Sequence, residues 1–192
     1  NVTTLLYEAN MTTTTDANGN VTVYHYDDNY RTTKIVYADG STEENIYDSG
    51  NNLAAVIDRN GNRTEYTYDA NGNVVKETRY DGAVKTYSYN SDNQLVKTVD
   101  FNGAETVYTY SNKDLTSIKY ANGTTVKYEY DSHHRIVKET DANKNVTKFE
   151  YTGAWLSSTI NPNGGINHYY YNSHGQVVSI VDALGQTTRF VY

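Results

Sequence analysis

Four stretches of this 192-residue chain carry an oxygen-rich pattern of the kind that opens a calcium loop: Asp16-Ala17-Asn18-Gly19-Asn20, Asp58-Arg59-Asn60-Gly61-Asn62, Asp69-Ala70-Asn71-Gly72-Asn73 and Asp141-Ala142-Asn143-Lys144-Asn145. Carboxylates and amides at alternate positions suit a hard cation, but a complete loop also needs a bidentate Glu at its twelfth position. Counting from Asp16 that position is Asp27, and none of the four stretches has Glu there. Asp first, Asn third and Gly fourth are also what a tight hairpin turn asks for. Turn chemistry accounts for these residues without a metal.

The other chemistry-bearing residues are sparse. Histidine occurs at His25, His133, His134, His168 and His174. The neighbours His133 and His134 fall in an expected turn, where solvation is a simpler reading than metal ligation. A nucleophilic triad needs Ser or Cys beside a His and an acid. There is no cysteine, and no Ser stands out from its equivalents elsewhere in the chain. Trp155, the sole tryptophan, lies in Thr152-Gly153-Ala154-Trp155. Capping an apolar interior is its plain role, and contact with a partner or a sugar is the sharper one. Asn-x-Thr sequons begin at Asn1, Asn10, Asn20, Asn62, Asn122 and Asn145, as a chain rich in Asn and Thr produces by chance. These residues imply no catalytic group, no cofactor and no metal.

Composition narrows the class. Hydrophobic residues make up 37% of the chain, and Tyr supplies 21 of them against three Phe, one Trp and one Met. Tyr, Thr and Val favour strands, while Asn and Gly favour turns. So many aromatic and β-branched residues argue against disorder. The net charge of −7 repels phosphate backbones, which argues against nucleic acid as a partner. No apolar run approaches the ~20 residues of a membrane-spanning helix. The sequence begins and ends within a strand pattern, which reads as a piece of a longer protein.

Internal repetition fixes the architecture. Paired aromatics recur as Tyr24/Tyr26, Tyr66/Tyr68, Tyr87/Tyr89, Tyr108/Tyr110, Tyr128/Tyr130, Phe149/Tyr151, Tyr169/Tyr171 and Phe190/Tyr192, with Asn45-Ile46-Tyr47 as a variant. The beat is 20 or 21 residues, giving eight complete repeats with partial ends across residues 1–192. Gly19, Gly40, Gly61, Gly82, Gly103, Gly123, Gly164 and Gly185 keep the same beat, with Lys144 in the one slot that lacks Gly. A lone aliphatic follows each pair: Leu53, Val74, Leu95, Leu115, Ile136, Leu156 and Val177, with Thr32 the exception. The two shortened repeats each lose a residue in Ser111–Asp114 or Thr152–Trp155, so the change of length belongs to a turn.

Each repeat reads as two strands and two turns. In the clearest copy Arg63–Tyr68 is a strand with Thr64, Tyr66 and Tyr68 on one face, Asp69–Gly72 a type I turn closed by a left-handed Gly, and Asn73–Tyr80 the return strand before a turn at Tyr80-Asp81-Gly82. Aliphatics three apart, as in Leu53/Val56 and Leu115/Ile118, break strict alternation and imply a bulge. The expected fold is all-β: tandem β-hairpin repeats of ~21 residues in an antiparallel meander with one Tyr- and aliphatic-rich face. Roughly seventeen strands exceed what a flat open sheet tolerates, so the sheet should curl into a spiral, tube or shell segment, or lie against other copies.

The unit Tyr66-Thr67-Tyr68-Asp69-Ala70-Asn71-Gly72-Asn73-Val74-Val75, followed by Asp81-Gly82 and Tyr87-Ser88-Tyr89, resembles the YD repeat of Rhs proteins, toxin-complex shell subunits and teneurins. The resemblance runs from about Leu5 to the end of the chain. It implies a sheet that spirals into a hollow shell in an extracellular or surface protein of bacteria, enclosing a C-terminal toxin domain, or else serving adhesion. Partners implied are neighbouring repeats or further copies, an enclosed toxin, or surface polysaccharide. Gly164-Gly165-Ile166-Asn167-His168-Tyr169-Tyr170-Tyr171 resembles the start of the motif that ends such repeats, but it keeps the ordinary beat and no Asp-Pro follows, so it reads as a repeat variant.

Overall fold

A computed structural model describes residues 4–192, and among them there is strand and turn but no helix. The all-β class and the tandem hairpin repeat hold. Contacts divide the chain into two compact units, Asn1–Ala104 and Glu105–Tyr192.

The first unit contains β1 (Thr4–Glu8), β2 (Met11–Thr15), β3 (Val21–Tyr26), β4 (Thr32–Val36), β5 (Thr42–Tyr47), β6 (Leu53–Ile57), β7 (Arg63–Tyr68), β8 (Val74–Thr78), β9 (Val84–Tyr89) and β10 (Leu95–Val99). Each strand pairs antiparallel with the next. The second unit contains β11 (Glu105–Ser111), β12 (Asp114–Lys119), β13 (Thr125–Tyr130), β14 (Ile136–Thr140), β15 (Val146–Thr152), β16 (Trp155–Ile160), β17 (Ile166–Tyr171), β18 (Val177–Val181) and β19 (Thr187–Arg189). It follows the same rule.

Alternation sorts the side chains as period-two geometry requires. In β7, Thr64, Tyr66 and Tyr68 are half-buried while Arg63, Glu65 and Thr67 are exposed. In β17, Asn167, Tyr169 and Tyr171 are half-buried while Ile166, His168 and Tyr170 are exposed. The paired aromatics therefore share one face. Full burial is rare because each unit is a meander in which a strand meets only its two neighbours. Among the described residues Ala55 is the only buried hydrophobic, and no large side chain is wholly enclosed.

The return strand is shorter than the sequence pattern implies. β8 ends at Thr78, and Asn73 and Tyr80 both belong to turns. Asn73 is held by Asp69, whose carboxylate accepts its backbone N–H at 2.9 Å and its side-chain amide at 3.0 Å. At the far end the Arg79 N–H is committed to the Ala83 carbonyl at 2.9 Å.

Candidate functional site

The feature that repeats through both units is structural, and it begins with a bulge. Tyr47 faces Leu53 while Ile46 faces Ala55, so Ala54 is an extra residue in the ladder. The same shift follows Val74, Leu115, Ile136 and Val177, where Val75, Thr116, Val137 and Val178 are the extra residues. The bulge converts a spacing of three into two, returning Leu53 and Val56 to one face. It also interrupts the ladder, leaving a carbonyl in need of a donor.

The second tyrosine of the next repeat supplies that donor. Tyr68 Oη donates to the Leu53 carbonyl at 2.9 Å, Tyr89 to Val74 at 3.1 Å, Tyr130 to Leu115 at 2.9 Å, Tyr151 to Ile136 at 2.9 Å and Tyr192 to Val177 at 3.1 Å. Tyr47 does the same to Thr32 at 3.1 Å. Thr32 breaks the aliphatic pattern, yet its carbonyl serves equally well. The constant partner is backbone, which explains why the side chain in that slot can vary. Burial pushes the phenols of Tyr68, Tyr89, Tyr110, Tyr130 and Tyr171 above their ordinary range.

A second link runs along the turns that follow these tyrosines. The residue just before the bulge reaches forward into the next repeat. Arg31 lies over the Tyr47 ring at 4.2 Å and donates to Asn51 Oδ1 at 2.9 Å. Arg135, in the same slot, lies over Tyr151 at 4.2 Å and bonds the Gly153 carbonyl. Asn73 donates to Asn93 at 3.2 Å, and Asp114 holds His134 Nδ1 at 2.9 Å. Trp155 occupies the slot in its own repeat, stacked on Tyr171 with ring centroids 5.4 Å apart. Asn51, Asn93 and His134 stand twenty positions after their partners and have positive φ, and so does Gly175 after Trp155, where a Cβ on Gly175 would come within 2.1 Å of the indole. This pairing escaped the reading of single motifs; a constant spacing of twenty was its signal. His134, expected to be solvated, is 64% exposed and also has Asp114 as its partner.

The opposite turns use glycine for conformation alone. Gly19, Gly40, Gly61, Gly82, Gly103, Gly123, Gly164 and Gly185 have φ between +79° and +86°, and a Cβ at any of them would meet nothing within 4 Å. Left-handed backbone is the whole reason for Gly here. Lys144, at φ 70°, bears the strain that the others avoid.

The oxygen-rich stretches are closed on themselves. Asp16 Oδ1 accepts from the N–H groups of Asn18 and Asn20 at 2.8 and 2.9 Å, and its Oδ2 from the Asn20 amide at 2.8 Å. Asp58, Asp69 and Asp141 repeat the pattern. Hydrogen bonding by the neighbouring Asn side chain, with those backbone donors, holds these carboxyls below the usual range. At Asp131 the Arg135 guanidinium leads, bringing it to about 2. Each of these carboxylates is thus engaged by N–H donors of its own turn. The sequon at Asn1 lies outside the described residues, and the one at Asn122 sits in an exposed turn.

The comparisons with known proteins agree with this geometry. The RHS Repeat family matches residues 10–42, 47–84, 68–105 and 108–146, more than half of the chain. The chain belongs to the RHS Repeat family. Among solved structures it is similar to the crystal structure of TcdB2-TccC3-TEV, with a TM-score of 0.74 at 16% identity, covering 99% of this chain and 13% of that one. It is similar also to TcdB2-TccC3 without its hypervariable C-terminal region, with a TM-score of 0.68 at 15% identity over 96% of this chain and 12% of that one. A Photorhabdus luminescens Tc holotoxin pore carrying a TccC3 mutation gives 0.52 at 13% identity, covering 99% of this chain and 16% of that one. The chain thus spans about an eighth of the length of the first two, and at these identities the likeness is one of fold. No curated protein matches the sequence.

Proposed function

We propose that this chain is a non-catalytic wall segment, part of a single longer repeat array in an Rhs-like bacterial protein that is secreted or held at the cell surface. The array curls, with the tyrosine face inward, into a shell or fibre. The observation that carries this reading is the identical tyrosine-to-carbonyl bond made repeat after repeat. The same fastening recurs in both units, which suits a structural role. What the repeats supply is continuity: each hairpin is fastened to the one before it by a bond outside the ordinary ladder. Neighbouring repeats are its principal partners, and a shell built this way would enclose a C-terminal toxin domain of the parent chain.

Electron cryo-microscopy of the intact parent polypeptide tests this. The expected image is a wall one sheet thick around a lumen, or a continuous one-sheet fibre. A compact globule with these hairpins packed face to face on another layer would overturn it.

A further inference from the structure

The Asn-x-Thr sequons within the described residues are not equivalent, and the first difference is where each amide nitrogen is spent. The side-chain amides of Asn20, Asn62 and Asn145 donate to Asp16, Asp58 and Asp141 at 2.8, 3.0 and 2.9 Å, inside their own turns. At Asn122 the amide oxygen is engaged instead, accepting from the Thr124 N–H at 3.0 Å and its hydroxyl at 2.7 Å. Asn10 donates to Asp28 at 3.3 Å, a long and exposed contact. Asn10 and Asn122 are thus the two sequons whose nitrogen is least committed.

The residue two places earlier separates those two. Glu8 precedes Asn10, whereas Asn18, Asn60, Tyr120 and Asn143 precede the other four. Access favours the same position. Ala9-Asn10 is the two-residue loop between β1 and β2, with Glu8 facing Met11. Glu8, Ala9 and Asn10 are exposed, as is the whole of β1. Asn10 is held at φ 59°, which a side chain adopts at a cost. A strained hairpin with so little buried surface opens locally at low free energy. Opening its last pairs would release Thr12, half-buried on β2 opposite Tyr7.

We propose that Asn10 is an acceptor for N-linked glycosylation, with the Thr12 hydroxyl and the Glu8 carboxylate as the groups by which a transferase recognises it. The hydroxyl two residues on is the general requirement for such an acceptor. A carboxylate two residues before gives a cationic group of the enzyme a charge-assisted partner, and single-subunit bacterial oligosaccharyltransferases select acceptors with an acid at that position. The co-reactant is an oligosaccharide carried on a polyprenyl diphosphate. Asn10 Nδ2 bonds to the sugar C1, the C1–O bond to the diphosphate breaks, the diphosphate leaves with the electron pair, and the amide gives up one proton. This modification lies beyond the wall function and rests only on its placing the chain outside the cytoplasm.

Purified transferase of that class, with its divalent cation and a polyprenyl-diphosphate oligosaccharide, would be incubated with the folded chain. Intact mass should show one added glycan, and sequencing of the glycopeptide should place it on Asn10. Asn10→Gln should abolish transfer. Glu8→Gln, at an exposed position, should keep the β signature in circular dichroism and slow transfer at least about tenfold, as loss of one charge-assisted hydrogen bond does. No transfer to the folded chain, transfer to a different Asn, or an unchanged rate for Glu8→Gln would overturn the proposal. The reaction is reconstituted from purified parts, so its failure is distinct from a failure of the wall reading.

Discussion

The two sets of turns in each unit solve one backbone problem in different ways. Both close with an N–H three residues on bonding back to the first carbonyl, as Gly72 does to Asp69 at 3.2 Å and Gly82 to Arg79 at 2.9 Å. Both need a left-handed residue at that point. On the glycine side the position faces open space, and Gly fills it in all but one repeat. On the tyrosine side the same position holds Tyr30, Asn51, Asn93 and His134 as well as Gly72 and Gly175. Three of these non-glycine residues take a contact from the previous repeat: Asn51 from Arg31, Asn93 from Asn73 and His134 from Asp114. Backbone strain is accepted where a side chain has a neighbouring repeat to reach. Arg59 crosses on the glycine side too, pairing with Asp39 at 2.6 Å, but not through the left-handed residue.

That contrast can be broken at Gly175. Gly175→Ala adds left-handed strain and a clash with Trp155, and should cost about 3 kcal/mol. Gly123→Ala has the same φ problem in open space and should cost about 1 kcal/mol. Urea unfolding of the two variants measures the gap. The double variant Trp155→Ala/Gly175→Ala should lose less than the sum of its single changes, because the clash is gone. Equal losses at Gly175 and Gly123 would erase the distinction between the two edges.

Lys144 sharpens the comparison from the other direction. Lys144→Gly relieves φ 70° on the side where no forward contact depends on the left-handed residue, and should stabilise the chain by about 1 kcal/mol. Asn51→Gly relieves similar strain but forfeits the Arg31 bond, so a smaller gain or a small loss is expected. Thermal unfolding distinguishes them.

Acid acts on both edges through the turn carboxylates. Asp131 is brought to about 2, chiefly by its hydrogen bonds to Arg135, and Asp16, Asp58, Asp69 and Asp141 are lowered chiefly by their Asn partners. A group whose folded pKa lies below its unfolded value contributes stability above the unfolded pKa. That contribution is present above pH 4 and lost as pH falls toward 2. These groups are exposed, so the effect is the smallest of the set, and carboxyl chemical shifts across pH 2–5 would report it. Asp131 should be among the last of them to protonate.

Much of the fold was legible because its determinants are local. The Asp69-Ala70-Asn71-Gly72 turn is written in residue types, and Leu53 and Val56 three apart announce the bulge. The two losses of length resolve into two-residue hairpin loops, Asn112-Lys113 and Gly153-Ala154, with Ser111 facing Asp114 and Thr152 facing Trp155. The return strand was read too long because Tyr80 looks like a strand residue. Its exposure of 64% follows from backbone bonds between Arg79 and Ala83 that composition cannot express. The acceptor for each tyrosine was not legible, since it is a carbonyl fifteen residues upstream that becomes available only once the bulge and the register exist. The pairs Asp114/His134 and Trp155/Gly175 were within reach of a search at fixed spacing, but looked unrelated as residue types.

The tyrosine hydroxyl is the claim on which the account rests, and Tyr-to-Phe replacement isolates it. The chain carrying Tyr47→Phe, Tyr68→Phe and Tyr89→Phe keeps every ring and removes three donors to bulge carbonyls. Equilibrium urea unfolding, followed by circular dichroism, should show an unchanged β spectrum and a loss of about 1 kcal/mol per hydroxyl. A triple variant as stable as the parent chain would mean that the rings alone fasten the repeats together, and the bond described here would have no role in holding the array.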